Sequence, residues 1–206
     1  MEVGRDARPP LITPPMISTS PAPHCITGAD LPDFGIYVSC LASYNSGDLY
    51  GAWIDLERCS DKDDIEQAIK FIIENSPNPE AEEYAIHDSV GLPDFLNVEY
   101  PDLSQIAEFR EVFSSLSEGE SVAYFILCNH ESQLFTAAEL EMQFLGVFDS
   151  EAEFARETYS ERGINDDTQN ELFCYVDWDR VWRGEFWCNS FFSVFGEGGY
   201  WIFCSR

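Results

Sequence analysis

Carboxylates outnumber cationic side chains 38 to 11 over 206 residues, a formal net charge of −27. This excess, more than any motif, limits what the chain can become. Residues 34–100 carry 14 acids and 3 bases, residues 101–140 carry 7 and 1, and residues 141–206 carry 13 and 5. The acidity runs through the whole folding part of the chain and is not gathered into a tail. Self-repulsion on this scale opposes a compact state. The chain is nevertheless 45% apolar and 15% aromatic, so it can bury a core that a disordered acidic tail cannot. Direct nucleic-acid binding and docking to an anionic membrane are disfavoured by repulsion. No apolar run of about 18 residues is present to span a bilayer. Three uses of the charge remain: a high-salt habitat, multivalent cations, or a partner with a strongly basic surface. Duplex DNA carries one charge per ~1.7 Å of axis, so this chain matches the charge of about 46 Å of duplex, and a dimer about twice that.

Seven cysteines, at positions 25, 40, 59, 128, 174, 188 and 204, form no CxxC pair. An odd number in a chain of this size reads as reduced thiols in a cytoplasmic protein, mostly small core residues. Residues 1–33 hold seven of the 11 prolines, which interrupt every short apolar stretch. They read as a disordered Pro-rich extension and not as a signal peptide.

From there the pattern is α+β. Ile36–Ala42 reads as a buried strand, Tyr44–Asp48 as a turn, and Leu49–Leu56 as the hairpin partner. Ser60 with Asp63 predicts a capping box for a helix with Ile65, Ala68, Ile69, Ile72 and Ile73 on its buried stripe. Lys62, Glu66, Lys70 and Glu74 alternate on its wet face. Glu83–Val90 reads as a third strand, completing an α+β unit over residues 34–99. Residues 100–140 are more helical: a helix over Asp102–Ser115, an apolar segment Ser121–Asn129 that fits helix or strand, and a box at Thr136 and Glu139. In residues 141–206, Ser150 and Glu153 cap a helix that ends at Gly163. A second helix is predicted over Asp177–Phe186. Trp187–Phe195 and Tyr200–Cys204 close a hairpin about Gly196–Gly199.

Chemistry-bearing patterns are sparse, and no catalytic, cofactor or metal residue is assigned. His87 and Asp88 are adjacent in a strand, which sends them to opposite faces. Cys128-Asn129-His130 lacks any nucleophile signature. A calcium loop started at Asp61 would place Glu66 and Ile72 where Gly and Glu are needed. No zinc spacing occurs, and Gly196–Gly199 lacks the Lys-Ser/Thr of a phosphate loop. One helix stands out. Asp149, Glu153, Glu157 and Glu161 recur every fourth residue, a ladder with rungs about 6 Å apart. Like charges at that spacing disfavour the helix, so a solvated face and a recognition surface are both open.

Four segments, in order, resemble the ArdA antirestriction family. IYVSCLASYNSGDLYGAWIDLE (36–57) is similar to its opening, and EEYAIHDSVGLP (82–93) to its next signature. FLGVFDSEAEFARE (144–157) is similar to its antirestriction motif, and FCYVDWDRVWRGEFW (173–187) to its C-terminal region, with Trp178 and Gly184-Glu185 substituted. The Pro-rich extension departs from the family. The resemblance favours helix for Ser121–Asn129. It implies a non-enzymatic, elongated acidic homodimer of three small domains in a row, here 34–99, 100–140 and 141–206. Such a protein mimics bent B-form DNA and occupies the DNA-binding groove of type I restriction–modification enzymes, protecting the DNA of mobile elements. It uses no cofactor. By carry-over, Leu145, Gly146, Phe148, Asp149 and Phe154 serve the motif and the dimer contact, and Asp149, Glu151, Glu153, Glu157 and Glu161 the charged surface. The alternatives are a halophilic acidic domain, an acidic metal-dependent hydrolase and an acidic chaperone for a basic protein.

Overall fold

Six consecutive residues, Gly35–Cys40, are all buried, which requires a central strand with cover on both faces. The computed structural model describes residues 22–28, 30–164 and 173–205. Among these the fold is α+β, with two small antiparallel sheets. The chain divides into two compact units. One comprises the residues up to Ser115 with Ser132–Leu134, the other Leu116–Glu131 with the residues from Phe135 on. The helices of the segment 100–140 are thereby shared between the two.

In the first unit β1 (Ile26–Gly28), β2 (Gly35–Cys40), β3 (Gly51–Asp55) and β4 (Tyr84–Val90) form a sheet ordered β1-β3-β2-β4. The expected hairpin pairs Ile36 with Ile54 and Val38 with Ala52. Its connection begins with a short helix, α1 (Leu41–Asn45), and only then turns, at Gly47 with φ +89°. Helix α2 (Lys62–Glu74) buries Ile65, Ala68, Ile69 and Ile72 as the spacing predicts, with Ile73 half-buried. Its cap lies one residue later than expected. The Asp61 carboxylate accepts from Asp64 N (3.1 Å), and the Asp64 carboxylate accepts from Ser60 N (2.7 Å). A charged acceptor at the positive end of the helix outcompetes the Ser60 hydroxyl. Helix α3 (Leu103–Ser115) buries Leu103, Ile106 and Phe109.

The expected extension over residues 1–33 falls mainly outside the described residues. Its end does not: Cys25 is fully buried and Ile26–Gly28 is a strand on β3. The reason is the free edge of β3, whose backbone groups β1 satisfies.

The second unit contains α4 (Glu118–Glu131), α5 (Ala137–Gln143), β5 (Phe144–Phe148), α6 (Glu151–Glu161), α7 (Trp178–Val181), β6 (Phe191–Gly196) and β7 (Gly199–Cys204). The sheet order is β5-β7-β6. Ser121–Asn129 lies inside α4 and is helical. The box at Thr136 forms in full: its hydroxyl accepts from Glu139 N (3.2 Å), and Glu139 accepts from Thr136 N (2.7 Å). The helix expected over Asp177–Phe186 is α for one turn only, after which Trp182–Phe186 continues as a π-turn. That widening lets Trp182 and Phe186 stack (5.9 Å, 15°) and bury together against Phe154, Ala155 and Ile202. Trp187–Asn189 is a 3-10 turn, not strand. Ser190, at φ +68°, redirects the chain before β6 begins.

Candidate functional site

The acidic helix and the strand before it supply the candidate site. β5 places Phe144, Gly146 and Phe148 toward the interior and leaves Leu145 and Val147 each 39% exposed. It is an edge strand, paired only with β7 within its sheet. At its end Asp149 and Ser150 start α6. The Ser150 hydroxyl accepts from Glu153 N (3.1 Å), and the Glu153 carboxylate accepts from Asp149 N (2.8 Å).

This cap separates the five acids predicted for the charged surface. Asp149, Glu157 and Glu161 are exposed. Glu151 and Glu153 are partly buried and already hydrogen-bonded, Glu151 by the Ser193 hydroxyl on β6 and Glu153 by the cap. Of the motif residues, Phe154 is buried and meets Phe148 edge to face, while Leu145 faces out. Gly146 has φ +126°. A groove of about 290 Å³ beside β5 is lined by Leu145, Phe148, Phe154 and Phe186 together with Glu157, Glu161 and Arg162.

The other sequence candidates are not assembled into chemistry. His87 and Asp88 sit at a bulge of the β2–β4 pairing and are both exposed. The His87 ring meets Tyr44 edge-on at 4.8 Å, and Asp88 accepts from Ser89 N (2.8 Å). Cys128 is fully buried in α4, and burial pushes its thiol up to about 11, unsuited to a nucleophile. Among the described residues no three His, Cys, Asp or Glu side chains are grouped to hold a metal ion, and no helix is long and apolar enough to cross a membrane.

Sequence reasoning misses the outward aromatics of this unit. Tyr175, Trp187 and Phe195 are 82%, 60% and 73% exposed. Tyr175 and Trp187 lie in the 3-10 turns Phe173–Tyr175 and Trp187–Asn189, and the register of β6 turns Phe195 outward.

Ion pairs are few among the described residues: Arg58–Asp55, Lys62–Glu66 and Lys70–Glu74, with His130 Nδ1 in contact with the Glu131 carboxylate (3.3 Å). Arg162 lies over the Tyr159 ring (5.4 Å). Most of the acid excess is therefore not neutralised internally. A search of curated proteins finds no match to this chain. The family model described as antirestriction protein (ArdA) matches residues 36–200.

Proposed function

The chain belongs to the ArdA antirestriction family, and on that basis we propose that it inhibits type I restriction–modification enzymes by occupying their DNA-binding groove as a DNA mimic. The observation that carries this reading is an acid excess spread over both units and largely without internal cations. A groove built to hold phosphates presents Lys and Arg along its length. Exposed carboxylates pair with them by charge-assisted hydrogen bonds and release the anions held there. The inhibitor transforms nothing and acts by occupancy, in the cytoplasm where its target works. Many weak contacts share the affinity, with Asp149, Glu157 and Glu161 among them. Glu151 and Glu153 contribute charge from fixed positions.

The active species in this proposal is a homodimer joined through the motif strand. An edge strand with outward Leu145 and Val147 is an open template for pairing, and native proteins seldom leave one bare. The apolar residues lining the groove beside it extend the same surface.

The test is competition. A type I enzyme is bound to labelled cognate duplex, and this protein is titrated in at several salt concentrations. Displacement near one dimer per enzyme, weakening steeply with salt, is expected. Absence of displacement across several type I enzymes by the folded protein overturns the proposal.

A further inference from the structure

We propose that Cys25 and Cys59 are a thiol–disulfide pair which, oxidised by glutathione disulfide, staples the edge strand β1 to the loop before α2. The two are 34 residues apart in sequence but share one spot in the first unit, fully and almost fully buried. The backbone fixes them there. The carbonyl of Cys25 accepts from Asp55 N (2.8 Å), and Cys59 Sγ lies 3.5 Å from the carbonyl oxygen of the same Asp55. The two thiols lie close enough to act on each other, and Cys25 Sγ also reaches the Asp64 carbonyl (4.0 Å). Arg58 holds the flanking residue, its guanidinium donating to the His24 carbonyl (3.4 Å).

The surroundings favour reaction as well as proximity. The hydrogen bond from Cys59 brings the Cys25 thiol down to about 7 despite its burial, and His24 acts in the same direction. Cys59 is held well above the ordinary thiol value by sharing its proton with Cys25, so Cys25 attacks first. Access comes from the strand itself: β1 is three residues long and lies at the edge of its sheet, so it opens locally at little cost. The Cys25 thiolate attacks one sulfur of glutathione disulfide and expels a glutathione thiolate. When the strand returns, Cys59 loses its proton and attacks the mixed disulfide at Cys25 Sγ, expelling the second. Two protein thiols are oxidised and one glutathione disulfide becomes two glutathione thiols.

The reduced full-length chain is incubated near neutral pH in glutathione buffers of stepped oxidised-to-reduced ratio, quenched in acid, alkylated after denaturation and mapped by peptide mass. The expected result is a Cys25–Cys59 linked peptide, two hydrogens lighter than its reduced parts and free of glutathione, formed at a rate independent of protein concentration. Cys59→Ser should stop at a glutathione adduct on Cys25. The oxidised chain should also melt several degrees higher, because the bridge restricts the unfolded chain. Recovery of both thiols alkylated at every ratio, or linkage of either to another cysteine, overturns the proposal. The mapping uses the unaltered chain and so does not depend on how well a variant folds.

Discussion

Phe148 and Phe154 meet edge to face, with ring centroids 5.1 Å apart at 71°. One ends the motif strand and the other lies in the first turn of the acidic helix, so this contact sets the angle at which α6 leaves β5. Phe154 also touches Trp182, Phe186 and Phe191. Phe154→Ala should leave a cavity at the centre of that aromatic cluster and cost about 3–5 kcal/mol in urea-monitored unfolding. A loss below about 1 kcal/mol would show that the cluster collapses around the gap and that the contact does not set the angle.

Gly199 begins β7 at φ +134°, and a Cβ built there would lie 2.3 Å from the carbonyl oxygen of Phe148. Neither atom is at the end of a flexible side chain, so the backbone itself must move. Gly199→Ala should separate β5 from β7 and destabilise the second unit by more than about 2 kcal/mol. Amide hydrogen exchange should rise first in residues 144–148. Unchanged protection there would contradict the close approach.

How much of this was legible in the sequence follows the range of the interaction. Thr136 and Glu139 announce their helix because both halves of the capping box lie within four residues. The isoleucine stripe of α2 is equally local. β1 is hidden because three residues, Ile-Thr-Gly, carry little propensity, and their pairing depends on the free edge of β3. β5 is hidden because its partner is the C-terminal strand and Gly146 interrupts the apolar run. The candidate site divides in the same way. Spacing alone picks out Asp149, Glu153, Glu157 and Glu161, but the Ser193 hydroxyl that binds Glu151 comes from β6, and no pattern within the helix signals it.

The capping box gives α5 a defined pH response. Hydrogen bonds from the Thr136 backbone N–H, and then from its hydroxyl, hold the Glu139 carboxyl below the usual carboxylate range. A group lowered on folding adds stability that is complete above its unfolded pKa and is lost as the pH falls through the native value. Glu139→Ala should therefore lower Tm at neutral pH, with the difference shrinking to nothing in strong acid. Thr136→Ala should cost about 1 kcal/mol at neutral pH. A Glu139→Ala penalty that persists in acid would show that the carboxylate is not its source.

The dimer is tested on the strand that would make it. Leu145→Lys and Val147→Lys change outward positions on β5, so the fold should persist while the mass in analytical ultracentrifugation falls to that of a monomer. Phe195→Lys, on the other edge strand and more exposed, is the control and should leave the mass unchanged. Monomer already in the unaltered protein, or dimer retained by both lysine variants, would place the contact elsewhere or remove it.

The acids of α6 separate charge from scaffold. Glu157 and Glu161 are exposed, one turn apart, and repel each other along the helix. Replacing both with Gln should raise Tm slightly while weakening competition with duplex by a few fold and making its salt dependence shallower. Glu153→Gln keeps an acceptor for Asp149 N, so its effect on competition should be of similar size per charge, with little change in fold. Glu153→Ala should instead loosen the cap and lower Tm. If inhibition rests on distributed carboxylates, the loss scales with the number of charges removed and not with which one is removed. A single substitution that abolishes displacement while the protein stays folded and dimeric would point to one indispensable contact, and the distributed DNA-mimic reading would fail.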